Sequence, residues 1–183
     1  MHTKARYAGC SSDQCGSTER SCPYRASAVA TCPISALYRD DGIEYLAKRP
    51  DEIVADIQLP PAEGWRSVYL KLRRRGSFDF PVLGVAVAAR MEGDVVREAR
   101  IVLGAVASQP RPSEKAAAAL VGQRVTRELI AHVADLAAGP AKPLDNTDFT
   151  HPYRKKVTRV FVARAVAAVA GFGDAGAASE EVA

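Results

Sequence analysis

The longest patterned stretch of the chain runs over residues 65–111. Residues 82–89 are apolar almost without a break and rich in Val and Ala, as in a well-buried strand. Glu92-Gly93-Asp94 is a turn signal. Residues 95–106 then return as a mixed apolar and charged run that ends wholly apolar. The pair predicts an antiparallel hairpin. A basic run with Lys71 inside it, WRSVYLKLRRR, precedes the hairpin and predicts a third strand. Upstream, Ile53, Ala55, Ile57 and Leu59 share one face at period two, which predicts a further strand. Pro60-Pro61-Ala62-Glu63-Gly64 breaks it and predicts a domain boundary.

Downstream the period changes. Pro110 and Pro112 predict an extended corner, after which Ser113 is a candidate N-cap with Glu114 in the favourable first turn. KAAAALVG predicts a helix that stops at Gly122. A second helix is expected from Thr126 to Gly139-Pro140, with Leu129, Val133 and Leu136 along one side. A third spans 152–170. Strands followed by helices, segregated in sequence, argue for an α+β domain: a three-stranded antiparallel sheet with a three-helix layer. The small, acidic tail over 173–183 is expected to be disordered.

Composition narrows the function. With 183 residues, 48% of them apolar, the chain has room for one domain or for a small domain with a partial neighbour. The net charge of +4 is mild, and the cations scatter except at 71–75 and 153–156. These two clusters read as solvated faces or as groups touching a ligand or subunit. No recognition motif supports nucleic-acid binding through them. No apolar run approaches the ~18 residues of a membrane span, and no signal-peptide h-region is visible, so a cytoplasmic location is expected.

Candidate chemistry is sparse. All four cysteines lie in an irregular Cys/Ser/Arg-rich segment, residues 1–32, as Cys10, Cys15, Cys22 and Cys32. Their C-x4-C-x6-C-x9-C spacing matches no zinc or ferredoxin pattern. A metal or iron–sulfur site, a disulfide pair, and a partly miscoded segment with incidental thiols all stay open. His2, His132 and His151 lack ligand spacing, and no nucleophilic triad, P-loop or G-x-G-x-x-G occurs. No catalytic residue is assigned.

The pattern W-x-S-x-Y-x-K-x-x-R-R-x-x-F-D-F-P-V-L-G-V-A from Trp65, followed by R-I-x-L-G-A-V-A and Pro110-Arg111-Pro112, carries a resemblance. It is similar to the C-terminal domain of the FAD-binding (medium) subunit of the xanthine dehydrogenase family, which includes carbon monoxide dehydrogenase and 4-hydroxybenzoyl-CoA reductase. The run LYRDDGIEYLAKRPDEIVADIQLP resembles the 4-hydroxybenzoyl-CoA reductase type most closely. The resemblance covers residues 33–171.

It implies that 33–62 is the end of an FAD-binding α/β domain, kept as a remnant, and that 63–172 is the flavoprotein C-terminal domain. It implies FAD as cofactor, with molybdopterin and [2Fe–2S] clusters on a molybdopterin-binding large subunit and a [2Fe–2S] small subunit. Electrons would pass through the flavin between those clusters and an acceptor or donor. Lys71 stands where the family has a lysine near the flavin; otherwise it is a solvated strand lysine. Ile53 and Val54 align with an apolar position against the flavin ring; otherwise they are strand core. Asp13, in Ser11-Ser12-Asp13, resembles an aspartate that contacts FAD. Arg74 and Asp79, next to Phe80, read as a structural ion pair. The 4-hydroxybenzoyl-CoA reductase type also carries a [4Fe–4S] cluster, but its last cysteine falls at Arg6 here. The glycine-rich pyrophosphate-binding segments of the family have no counterpart before Trp65, so the chain alone is expected to hold FAD poorly and to be inactive. The alternative is a stand-alone, non-catalytic interaction module or the remnant of a truncated gene.

Overall fold

The computed structural model describes residues 4–9, 28–76, 78–143 and 149–172, with backbone alone for 4–9 and 28–30. The chain divides into two compact units, Met1–Ala62 and Glu63–Ala183.

In the first unit, β1 (Lys4–Gly9), β2 (Ala28–Pro33) and β3 (Glu52–Gln58) form an antiparallel sheet in the order β2-β1-β3. Two of these strands lie inside the segment that shows no sequence period. KARYAG is the central strand and takes ladder bonds from both sides, which six residues are too short to advertise as a pattern. The pairing of β1 with β3 slips between Arg6 and Tyr7. A single 3-10 turn, Ile34–Leu37, buries Leu37. The following loop is held locally. The Asp41 carboxylate accepts the Ile43 and Glu44 amides at 2.7 and 2.9 Å, and these two bonds hold its pKa below the ordinary value. Among the described residues this unit contains strands and a 3-10 turn but no α-helix, so of the expected α/β remnant only strands are seen.

In the second unit, β4 (Trp65–Leu72), β5 (Leu83–Glu92), β6 (Val95–Gly104) and β7 (Arg111–Pro112) pair antiparallel in that order. Gly93 turns the β5–β6 hairpin with φ 58°, in the left-handed region that glycine enters without a Cβ penalty. The sheet therefore has four strands where three were expected. The expected corner at Pro110 and Pro112 is a two-residue edge strand, pairing Leu103 with Arg111 and Val102 with Pro112. Proline is tolerated there because an edge strand needs no inward donor at that residue. The Ser113 amide extends the contact by donating to Ile101 O at 2.8 Å.

Three helices cover one face of this sheet: α1 (Glu114–Leu120), α2 (Arg127–Ala137) and α3 (His151–Ala170). The Thr126 hydroxyl accepts the Leu129 amide at 3.2 Å, and the Thr150 hydroxyl accepts the Tyr153 amide at 3.4 Å. Gly171, at φ 79°, ends α3. Ser113 occupies the N-cap position of α1 but caps nothing; its hydroxyl is buried while its amide continues the β7 ladder. Leu83, Val85, Val87 and Ala89 of β5 face the helices with Leu72, Ile101 and Leu103. Val133, Val162, Ala165, Val166 and Val169 meet them. Burying each Val or Leu of this core contributes roughly 1.5–3 kcal/mol.

One cation lies in that core. Arg154 is 0% exposed, although its neighbours made 153–156 read as a solvated or contacting cluster. Its Nε and Nη2 donate to Val82 O at 3.2 and 3.1 Å, and Nη2 also donates to Ala105 O. Burial pushes its pKa below the ordinary arginine value. Ala105 has φ 61°, a left-handed conformation that a non-glycine residue keeps only when its surroundings enforce it. Arg154→Leu is expected to destabilise the protein by about 3 kcal/mol, because it removes the donor that both carbonyls share inside the core. Urea unfolding checks this: the midpoint should fall with an unchanged slope, and Arg154→Lys should recover less than half of the loss.

Candidate functional site

The strand alternation of β4 sends Val68, Leu70 and Leu72 towards the helices and leaves Tyr69 and Lys71 on the opposite face. Lys71 lies opposite Gly84 of β5. Tyr69 leans across to that glycine, where an added Cβ would meet its hydroxyl at 2.8 Å. A larger residue at Gly84 would displace the exposed Tyr69 side chain from this position. The outer face beside Lys71 carries Gly84 and Gly104 in its own row, and Tyr69, Ala86 and Val102 in the next.

Lys71 is exposed, but its ammonium is not loose. Nζ donates to Asp79 O at 2.6 Å, across the β4–β5 loop. The Asp79 carboxylate organises the same loop. It accepts the Arg75 amide at 3.1 Å and the Phe80 amide at 2.9 Å, and lies 3.7 Å from the Arg75 guanidinium. Desolvation opposes its charge, but these amide bonds and the Arg75 guanidinium outweigh it and hold the pKa below the ordinary value. Arg75, the neighbour of Arg74, contacts the Asp79 carboxylate both with its amide and with its guanidinium. The loop closes through the Val82 amide, which donates to Leu72 O at 2.8 Å.

Ile53 and Val54 lie on β3 of the first unit. Neither is core: Ile53 is 69% exposed, and Val54 is exposed as well. Asp13 lies outside the described residues, as do Cys10, Cys15 and Cys22. Cys32, on β2, is a half-buried free thiol. Among the described residues no group of three His, Cys, Asp or Glu side chains could hold a metal. No described helix is long and apolar enough to cross a membrane.

Each unit by itself displays groups of a kind that the ring end of a flavin can use. A flavin presents a broad apolar ring and takes on negative charge when reduced. Exposed Ile53 and Val54 offer apolar surface, and Lys71 offers a fixed ammonium with one of its three donors engaged by Asp79 O. The pyrophosphate end is another matter. The one glycine between residues 28 and 62 is Gly42, in an exposed turn, so no glycine-rich backbone cradle is present there.

The second unit is thus an α+β domain, a four-stranded antiparallel sheet with a three-helix layer on one face. Residues 67–169, more than half of the chain, match the family of the CO dehydrogenase flavoprotein C-terminal domain, and the chain belongs to that family. It is 24% identical over 119 residues to the glyceraldehyde dehydrogenase medium chain of Sulfolobus acidocaldarius, covering 65% of this chain and 42% of that one. It is 35% identical over 71 residues to the aldehyde oxidoreductase FAD-binding subunit PaoB of Escherichia coli, covering 39% and 21%. The structure superposes on carbon monoxide dehydrogenase from Hydrogenophaga pseudoflava with a TM-score of 0.75 at 25% identity, covering 92% of this chain and 52% of that one. The chain thus spans about half the length, or less, of the proteins it matches.

Sequence reasoning missed Phe78, which the loop exposes together with Phe80. The F-D-F spacing around a loop aspartate was the available signal. It also missed the bond from Lys71 to Asp79 O, which joins residues eight apart. Because Asp79 is held below 3.8, its anchoring of the loop is complete above that value and is lost as pH falls through the lower folded-state value. Amide exchange at Arg75 and Phe80, followed by NMR, should show protection at neutral pH and its loss on acidification below pH 3.8. Asp79→Ala should lose that protection at every pH.

Proposed function

We propose that this chain is the C-terminal part of the FAD-binding subunit of a molybdenum hydroxylase-type oxidoreductase, in which Lys71 faces the flavin. One observation carries the reading: within the family-matched span, Lys71 is displayed on the open sheet face with its ammonium fixed by Asp79 O. Either Ile53 or Val54, which alternate faces along β3, would pack on the ring and exclude water from it, and Asp13 would contact FAD. When bound, FAD supplies an electron carrier able to exchange electrons one or two at a time. The protein's part is positional and electrostatic. A cation held at one point favours negative charge developing beside it, and its bond to Asp79 O means that little reorganisation is needed as the charge arrives.

The partners proposed are a molybdopterin-binding large subunit and a [2Fe–2S] small subunit, in a cytoplasmic complex. The names of the relatives support this, being medium chains and an FAD-binding subunit of dehydrogenases and oxidoreductases. Electrons would then run between the iron–sulfur clusters and an acceptor or donor by way of the flavin. Within the family, residues 37–60 support the 4-hydroxybenzoyl-CoA reductase type, where the flow runs towards an aromatic thioester. A second reading, a non-catalytic interaction module, is favoured by the second unit, which closes a complete core of its own.

Flavin titration separates the two readings. The purified chain, and the chain co-expressed with the two proposed subunits, would be titrated with FAD and followed by flavin fluorescence. FAD should bind weakly to the chain alone and more tightly in the complex. Lys71→Ala should weaken binding about tenfold, equivalent to ~1.4 kcal/mol. Absence of FAD binding in both preparations would favour the interaction module.

A further inference from the structure

Tyr69 stands two residues before Lys71 on the outer face of β4 and is 60% exposed. Its ring lies over Gly84, which is buried although it belongs to the outer face. A Cβ added at Gly84 would meet the Tyr69 hydroxyl at 2.8 Å and two ring carbons at 3.3 and 3.4 Å. The phenol therefore ends in the row of Lys71, which pairs with Gly84. Gly104 is the next position in that row. A Cβ added there would meet the Gly84 backbone at 3.8 and 3.9 Å and no side chain within 4 Å, so among the described residues nothing covers Gly104. Among the same residues the Tyr69 hydroxyl has no hydrogen-bond partner. One row of the sheet thus displays two donors. The Lys71 ammonium has two N–H groups left after its bond to Asp79 O, and the Tyr69 O–H is unspent.

We propose that Tyr69 is a second cofactor-facing residue, whose hydroxyl donates a hydrogen bond to a carbonyl oxygen of the flavin ring. This rests on the function proposed above. The ring carries two carbonyl oxygens, and they share the negative charge that it gains on reduction. A hydrogen bond to an oxygen that becomes charged strengthens as the charge arrives. Tyr69 therefore favours the reduced ring over the oxidised one, as Lys71 does, and it does so without placing a second cation beside the lysine. Carrying both donors on one strand fixes their spacing, and the seat on Gly84 fixes the direction of the phenol.

The test uses the chain co-expressed with the two proposed subunits and loaded with FAD. Tyr69→Phe keeps the ring and removes only its oxygen. It should bind oxidised FAD about threefold and reduced FAD about 30-fold more weakly. That tenfold difference lowers the two-electron potential of the flavin by about 30 mV, read by equilibration with a redox dye. Raman spectra of FAD isotopically labelled at its ring carbonyls should show one carbonyl stretch moving to higher frequency. The melting temperature should stay unchanged, because an exposed phenol supports no core. Gly84→Ala, whose added Cβ displaces the phenol, should lower the potential equally, and combining it with Tyr69→Phe should add little. Either an unchanged potential or unmoved carbonyl stretches in Tyr69→Phe overturns the proposal. If FAD binds the unaltered complex and Lys71→Ala weakens it while Tyr69→Phe is silent, the role of Tyr69 alone is refuted. Absence of FAD from the unaltered complex refutes the flavin reading and this inference with it.

Discussion

The second unit depends on a buried cation. Arg154 brings a guanidinium into a core otherwise made of Val, Leu, Ile and Ala, and its hydrogen bonds to Val82 O and Ala105 O offset the cost of desolvation. Those carbonyls stand at two chain reversals: the end of the β4–β5 loop, and the turn that leaves β6. One side chain on α3 therefore fixes where both reversals sit against the helix layer. Ala105 keeps its left-handed backbone beside that bond. Thr158, one turn further along α3, donates its hydroxyl to Arg154 O at 2.8 Å, so it is satisfied locally.

The displayed chemistry follows from that anchor. With Val82 held by Arg154 on one side and bonded through its amide to Leu72 O on the other, the 73–82 loop is closed at its base. Asp79 then folds the loop on itself, and its carbonyl reaches back to Lys71. The chain of bonds runs from a buried arginine to an exposed lysine through backbone carbonyls and one aspartate. Unpaired, Lys71 would sample many rotamers in water; tied to Asp79 O, it presents its charge at one place.

The two faces of the four-stranded sheet divide the labour. The inner face carries Leu83, Val85, Val87, Ile101 and Leu103, and packing against the helices supplies the stability. On the outer face Gly84, Ala86 and Gly104, with Val102 beside Ala86, leave room for Tyr69 to lie across the sheet. A face built this way contributes little to the core, so its residue choice is open to a ligand's needs. That division agrees with a family whose members are flavoprotein domains of larger chains, and with a chain that spans about half of its solved relative.

Much of this was legible in the primary structure. Period-two alternation marked β3, near-continuous apolarity marked β5, Gly93 marked the hairpin, and the 3.6-residue stripe marked α2, because each signal is local and set by backbone geometry. The F-D-F-P motif and Lys71 stood out as a unit before their contact was known. What escaped was non-local. β7 is two residues long and contains a proline, so only its pairing with β6 makes it a strand. β1 and β2 show no usable pattern in so few residues, and only the ladder joining them defines the first sheet. Arg154 sits in a basic run, yet its place four residues before Thr158 and eight before Val162 puts it on the buried stripe of α3, a clue that its charge overrode. Its partners lie 72 and 49 residues away, a separation over which no local period carries information. The sequence by itself determined β3 to β6, the three helices and the flavoprotein resemblance. Tertiary structure alone decided which charges are buried and which are displayed, because burial depends on which surfaces meet.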